Sequence, residues 1–156
     1  YPAGGKDNVK KFVKEFNQNP AMKSQNKLAI GILDGDAYIQ KQETDLFKKF
    51  PGENMPEIEI WNVVINNLDQ QIAGLTKALG LDIRSQQDIV KDVLREVNTE
   101  IADYHTVYAL VGEKLGYLSK EAVENAFFSI YLTLNKNKTK EIIDFISQKL
   151  SYLSTS

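Results

Sequence analysis

Cysteine is absent from this chain, and histidine occurs only once, as His105. The lack of Cys excludes disulfide frameworks, thiolate nucleophiles and Cys-ligated zinc, and a single His excludes His-rich metal sites. A Ser-His-Asp triad would have to be built on His105, which falls inside a predicted helix, where a packing or flanking role is the simpler interpretation. We therefore expect no enzymatic activity, no metal and no cofactor.

Long apolar runs are also missing. They fall far short of the ~20 residues needed to cross a membrane, so no membrane span is expected. The 156 residues, 42% of them hydrophobic and 26% charged, suit a single globular domain over 1–156. Residues 1–5, Tyr-Pro-Ala-Gly-Gly, look like a flexible leader left after removal of a signal peptide or propeptide, and a truncated chain would look the same.

Charge is spread unevenly along the chain. Residues 1–52 contain nine Lys against six acids, and residues 53–112 contain four Lys or Arg against ten acids. An acidic centre repels phosphate backbones, and no cluster of basic residues interleaved with aromatics occurs elsewhere, so we expect no nucleic-acid partner. A solvated helix face is the simplest explanation of the acidic stretch.

The four Pro and nine Gly lie where helices would have to end, which divides the chain into predicted helices. A first helix is predicted from about Asp7 to Asn17, because Val9, Phe12, Val13 and Phe16 share one face. Two more are predicted over 23–33 and 37–50, separated by a turn at 34–36. No strand pattern of convincing length is found.

The strongest periodicity is a pair of apolar stripes in the middle of the chain. The first stripe comprises Ile58, Trp61, Ile65, Leu68, Ile72, Leu75 and Leu79. The second comprises Val90, Leu94, Val97, Ile101, Tyr104, Tyr108, Val111 and Leu115. Steps of three and four residues predict two helices, about 35 Å and about 45 Å long. Because the link around Gly80 is short, we expect them to pack as an antiparallel hairpin.

Two further helices are predicted after the second stripe. One runs from Ser119, its cap, to about Leu134, and the last runs over 140–153 with Thr139 as its cap. Together these elements predict an all-α fold, a helical bundle of about seven helices built around a long antiparallel helical hairpin.

Aromatic residues concentrate in the C-terminal half. Such side chains suit either a core or a pocket for an amphipathic ligand, and both interpretations stay open. The candidate ligand-binding residues are Tyr104, Tyr108, Tyr117, Phe127, Tyr131 and Phe145. Separately, Asn137-Lys138-Thr139 is a sequon, so Asn137 is a candidate glycosylation site if the chain is exported.

Two patches resemble the SXP-type family of small secreted nematode proteins. Near the start, Phe12 and Phe16 precede Asn19-Pro20-Ala21-Met22, similar to the family's aromatic helix and Asn-rich turn. Near the end, Leu118-Ser119, Glu121-Ala122, Ser129-Ile130 and the segments 135–139 and 142–150 resemble its closing helices. The resemblance implies secretion, a helical fold, no known enzymatic activity, and a binding or host-interaction role.

These observations lead to one main hypothesis and one alternative. The main hypothesis is a secreted, non-enzymatic helical protein that binds a protein partner or a small hydrophobic ligand. The alternative is a structural or oligomeric component that assembles through the coiled-coil stripes. Both a monomer and a homodimer are compatible with the pattern.

Overall fold

A computed structural model describes residues 5–154, and 70% of the structure is helical. Its contacts divide into two compact units, one combining the chain up to Pro56 with the chain from Asn137 onward, the other comprising Glu57–Lys136. The expectation of a single domain over 1–156 stays a prediction. Most of the predicted leader, residues 1–4, lies outside the described residues.

The first unit joins helices to a small parallel sheet. It contains helices α1 (Lys6–Gln18) and α2 (Pro20–Ser24), strands β1 (Gly31–Leu33) and β2 (Phe47–Lys49), a 3-10 turn at Lys41–Glu43, and nearly all of helix α8 (Lys136–Ser154). Gly31 pairs with Phe47 and Leu33 with Lys49. Its core consists of the buried residues Val13, Leu33, Ala37 and Phe47.

The predicted helices over 23–33 and 37–50 are wrong. Of the first, only Lys23 and Ser24 are helical, at the end of α2. The residues Leu28, Ile30 and Ile32 recur at every second position, which is the period of a strand and not of a helix. The second is replaced by the 3-10 turn and β2. There the Glu43 side chain turns back to accept a hydrogen bond from Gln40 N at 3.1 Å, and it also binds two lysines of α1. These tertiary bonds outweigh the local helix propensity.

The second unit is entirely helical within its described residues. It contains α3 (Pro56–Asn66, from its second residue), α4 (Leu68–Ala78), α5 (Ile83–Glu100), α6 (Tyr104–Lys114) and α7 (Lys120–Leu134). Helix α4 packs against α5 and α7, and α6 packs against α5 and α7. Most residues of the two apolar stripes are buried as expected, including Trp61, Leu75, Leu94 and Val111.

The two long helices, however, are wrong, because each is divided into two. Asn67 separates α3 from α4 with φ −110° and ψ 14°, and its side-chain amide donates to Val63 O at 2.8 Å. Residues 101–103 separate α5 from α6, and Asp103 caps α6 by accepting from His105 N at 2.9 Å. At 1.5 Å per residue, the four helices span only about 17 to 27 Å each.

The closing helices follow the prediction more closely. Helix α7 begins after Ser119, whose hydroxyl accepts from Ala122 N at 3.1 Å, so the predicted cap is confirmed. Helix α8 begins four residues before the predicted start, and Thr139, expected as its cap, is a buried residue inside it. The described residues thus form eight α-helices, against about seven predicted, and two strands. No helix in this part of the chain is long and apolar enough to span a bilayer.

Candidate functional site

An apolar groove of about 530 Å³ opens on the surface of the first unit. Its walls come from the segment Ile39–Gly52 on one side and from Glu141 and Phe145 of α8 on the other. The apolar lining consists mainly of Ile39, Phe47, Phe50 and Phe145. Small-molecule sites typically have volumes of roughly 300 to 1,000 Å³ with mostly apolar linings, so the groove has the size and chemistry of a ligand site.

Strand β2 supplies one wall, to which Phe47, Lys48 and Lys49 all contribute. The Phe47 ring is buried against the sheet, while Lys48 and Lys49 are partly exposed beside the groove. The Phe47 ring also requires Gly31 on the neighbouring strand, since a Cβ there would lie 2.7 Å from Phe47 Cδ1. The groove floor therefore depends on close packing between the two strands.

Helix α8 supplies the opposite wall. Glu141 and Phe145 are four residues apart and so share one face of the helix. The ammonium of Lys149 lies 5.8 Å from the centre of the Phe145 ring. It also lies 3.9 Å from a carboxylate oxygen of Asp45. These contacts hold the Phe145 ring beside the strand wall.

A second depression of about 180 Å³ adjoins the groove and is lined by three lysines, Lys48, Lys49 and Lys138. Lys48 is paired with Glu141, with Nζ and Oε2 3.3 Å apart. Within residues 5–154, no carboxylate lies within ion-pair distance of Lys49 or Lys138. The end of the groove therefore carries two uncompensated positive charges.

An ion cluster around the buried Glu43 carboxylate anchors the chain that leads into the groove. The Glu43 carboxylate, only 6% exposed, accepts from Lys10 at 2.8 Å and from Lys14 at 2.6 Å. Hydrogen bonds from Lys10, Lys14 and Gln40 N lower the pKa of Glu43 from 4.5 to about 2. The ionised carboxylate thus holds the 3-10 turn against α1, four residues before β2 begins.

The aromatic residues predicted to bind a ligand occupy several different environments. Tyr108 and Phe127 are buried in the second unit against Trp61, whose ring stacks on Phe127 at 5.1 Å and meets Tyr108 edge-on at 5.8 Å. The Tyr108 hydroxyl donates to Glu57 O at 2.8 Å. Burial, with Glu57 nearby, raises the pKa of Tyr108. Packing of these rings on one another explains their burial without a ligand.

The remaining predicted residues do not join this cluster in one site. Tyr131 is fully buried one turn after Phe127 on α7, and its burial together with Glu59 raises its pKa to about 12. Tyr104 is partly exposed at the start of α6, and Tyr117 is 87% exposed. Phe145 alone lines the groove of the first unit. A ligand-binding role for these six residues stays a prediction.

The groove itself is not predicted by the spacing of residues in the sequence. The pattern predicts a helix over its strand wall, Phe47-Lys48-Lys49-Phe50, because Phe47 and Phe50 would lie on one helix face beside Leu46. The available signal is Pro51-Gly52 directly after this run, since a short run flanked by aromatic residues and followed by a Pro-Gly turn is also typical of a short strand.

A polar depression of about 470 Å³ lies in the second unit at the break between α3 and α4. Asp69 at its edge binds Lys91 at 2.7 Å and Arg95 at 3.2 Å, and the Lys91 hydrogen bond lowers the pKa of Asp69. Its lining consists mainly of Asn and Gln with the Asp69–Arg95 pair and two aliphatic residues, Ile65 and Leu68, and no aromatic residue is among them. The described residues also include no group of three His, Cys, Asp or Glu placed to hold a metal ion.

Comparison with models of protein families, with curated proteins and with solved structures gave no match for this chain. The geometry of the two units therefore carries the functional argument.

Proposed function

We propose that this chain is a non-enzymatic binding protein that holds a small hydrophobic ligand in the groove of the first unit. The single observation that carries the proposal is an apolar, aromatic-walled groove of about 530 Å³ whose side chains are partly open to water. Covering such walls with an apolar ligand is favourable by roughly 25 cal/mol for each Å² removed from water.

The groove is a better candidate than the aromatic cluster of the second unit. Trp61, Tyr108 and Phe127 are each 2% exposed or less and already contact one another, so a ligand would have to displace core packing. Phe145 and Ile39 are only partly buried, and a ligand can cover them without such a rearrangement.

The proposal is tested with a medium-chain alcohol, decanol, titrated by isothermal calorimetry. We expect Phe145→Ala to weaken decanol binding about tenfold, because half the transfer energy of a buried aromatic ring is lost. The matched control is Ile143→Ala, which removes an apolar side chain from α8 that is 59% exposed and does not line the groove. Equal affinities for both variants and the unmodified chain would refute the groove as the site.

A second candidate function is association through the exposed face of α8. Ile143 is 59% exposed and Leu150 is 61% exposed, and their spacing of seven residues places them on one helix face. A protein partner or a second copy of this chain would cover them. Light scattering across a concentration series, compared between the unmodified chain and Ile143→Asp, tests the second copy: a concentration-dependent mass lost in the variant supports it.

We also propose that α4 and α5 form an antiparallel helical hairpin, shorter than the one predicted. They are joined by residues 79–82 and pack together. The contacts of α3 and α4 with α5 run in opposite directions along the chain. Trp61 of α3 hydrogen-bonds to Asn98 near the end of α5, whereas Asp69 of α4 pairs with Lys91 in its middle. Amide exchange of α5 after a Leu75→Ala substitution in α4 tests this pairing.

Secretion and membership of the SXP-type family remain proposals. For secretion, the supporting observation is that Asn137 is exposed in the first turn of α8 and is therefore accessible to a glycan. Expression through a eukaryotic secretory pathway should give a glycosidase-sensitive mass increase that Asn137→Gln abolishes. A secreted product with no such increase would remove this support.

A further inference from the structure

We infer that the ligand of the groove is a single-chain amphiphile with a carboxylate head, bound with its head at Lys49 and Lys138 and its chain along Ile39, Phe50 and Phe145. This inference rests on the proposed function and specifies its ligand class. It follows from how the apolar groove and the lysine depression are joined.

The two depressions form one continuous surface. They share Lys48, Lys49 and Glu141, together with the turn Pro51-Gly52. On one side of these shared residues the walls are aromatic and aliphatic, and on the other side Lys138 joins the two lysines of β2. A molecule that fills both parts must therefore be apolar over most of its length and polar at one end.

The sign of the polar end follows from the charges that remain unpaired. Glu141, the only acidic residue among the described residues that line either depression, is paired with Lys48. Lys49 and Lys138 have no ion-pair partner within residues 5–154, so an incoming anion would meet two available ammonium donors. Hydrogen bonds from ammonium groups to a carboxylate are roughly twice as strong as those between neutral groups.

The same charges disfavour other head groups. A cationic head would be repelled by Lys49 and Lys138. A neutral hydroxyl would gain only the apolar contacts of the groove, because it lacks the charge that both lysines complement. Each solvent-exposed ion pair contributes only up to a few-fold in affinity, so two together amount to about tenfold.

The experiment compares three ligands with the same ten-carbon chain, decanoate, decanol and decyltrimethylammonium, by calorimetry at low ionic strength. We expect decanoate to bind about tenfold more tightly than decanol, and decyltrimethylammonium more weakly than decanol. Raising the salt concentration should weaken decanoate binding and leave decanol binding nearly unchanged, since screening acts on the charged head.

The variant Lys49→Gln/Lys138→Gln should weaken decanoate binding about tenfold and change decanol binding less than about twofold. The matched control is Lys23→Gln/Lys27→Gln, which removes two exposed lysines of the same unit that do not line either depression. This control should leave decanoate binding unchanged, which separates the local contacts from the net charge.

The outcomes distinguish the two proposals. If all three ligands fail to bind, the proposed function is wrong and the inference falls with it. If decanol binds as tightly as decanoate, or if Lys49→Gln/Lys138→Gln leaves the decanoate affinity unchanged, the groove remains a hydrophobic site and the carboxylate inference alone is overturned.

Discussion

The two compact units differ in what holds them together. Of the 21 buried hydrophobic residues among those described, 17 belong to the second unit and only four to the first. The first unit combines its small core with the Glu43 ion cluster and the close contact between Gly31 and Phe47. The helical unit buries most of its two apolar stripes, whereas the small mixed unit buries few hydrophobic side chains.

The two units also differ in net charge. The first unit contains 12 Lys against nine acids, and the second contains seven Lys or Arg against 12 acids. The positive unit is also the one with the open groove, so an anionic ligand suits it and not its acidic counterpart. Binding sites are commonly drawn from the less stable parts of proteins, and this division of roles agrees with that tendency.

The largest expected effect is in the aromatic core of the second unit. Phe127→Ala should lower the free energy of unfolding by about 3 to 5 kcal/mol, because it removes a fully buried ring and leaves a cavity beside Trp61. Urea unfolding followed by the fluorescence of Trp61, the single tryptophan, measures this change.

The neighbouring Phe128, 39% exposed, provides the control for this prediction. Phe128→Ala should have a much smaller effect because less area is removed from the buried interior. If Phe127→Ala leaves stability nearly unchanged and instead abolishes ligand binding, the aromatic cluster is a pocket, and the contrast between the units is wrong.

The next largest effect should come from a methyl group added to each unit. Gly31→Ala places a Cβ 2.7 Å from the buried Phe47 ring and should destabilise the first unit by about 1 to 3 kcal/mol. In α4, Gly74→Ala places a Cβ 3.4 Å from Cδ1 of Ile130, an ordinary contact distance. Because alanine loses less backbone entropy than glycine in a helix, this variant should stabilise the second unit by about 0.5 to 1 kcal/mol.

Amide exchange read separately on peptides from the two units measures both changes. Faster exchange in the first unit only, after Gly31→Ala, would show that the units open independently. Faster exchange throughout would show one cooperative domain, as the sequence predicted. Destabilisation by Gly74→Ala would contradict the local packing around α4.

A smaller effect, dependent on pH, is expected at Glu43. Its pKa is about 2 in the folded chain, below its ordinary value of 4.5. The ionised carboxylate therefore contributes stability that is complete above about pH 5 and is lost as the pH falls toward about 2. Glu43→Gln should lower the urea midpoint of the first unit at neutral pH. The difference in midpoint between the variant and the unmodified chain should vanish as the pH approaches about 2.

Asp69 of the second unit is the comparison for this prediction. Its side chain is 70% exposed, so Asp69→Asn should change the midpoint less than Glu43→Gln. Far-UV circular dichroism in a urea and pH series records both. If the midpoint difference between Glu43→Gln and the unmodified chain persists unchanged at acidic pH, the shape of the Glu43 side chain matters and its charge does not.

The sequence predicted the second unit better than the first, and the reason is physical. Buried helix faces repeat with a fixed period, so Trp61, Leu75, Leu94 and Val111 were recognised as core residues from spacing alone. The breaks at Asn67 and Asp103 were missed because an apolar stripe can continue through a change of helix axis.

In the first unit the decisive interactions join residues far apart in the chain. Lys10 and Glu43 are 33 residues apart, and no local pattern announces that pair. The same is true of the groove, where Phe145 faces β2 although about one hundred residues separate them. Spacing reveals surfaces built within one helix, and it does not reveal surfaces assembled from both ends of a chain.

The smallest expected effect concerns Tyr117, which was predicted to bind a ligand. It lies in the turn after α6 with φ +67°, a conformation that favours glycine, and its side chain is 87% exposed. The left-handed conformation costs a non-glycine residue about 1 to 2 kcal/mol, and glycine loses about 0.5 to 1 kcal/mol more entropy on folding. Tyr117→Gly should therefore raise the free energy of unfolding by at most about 1.5 kcal/mol, whereas Tyr117→Phe, which keeps the backbone strain, should not change it. Urea unfolding measures both changes. If Tyr117→Gly lowers the stability, the Tyr117 ring makes a stabilising contact in spite of its exposure. Tyr117 would then contribute to packing as the buried aromatic residues do.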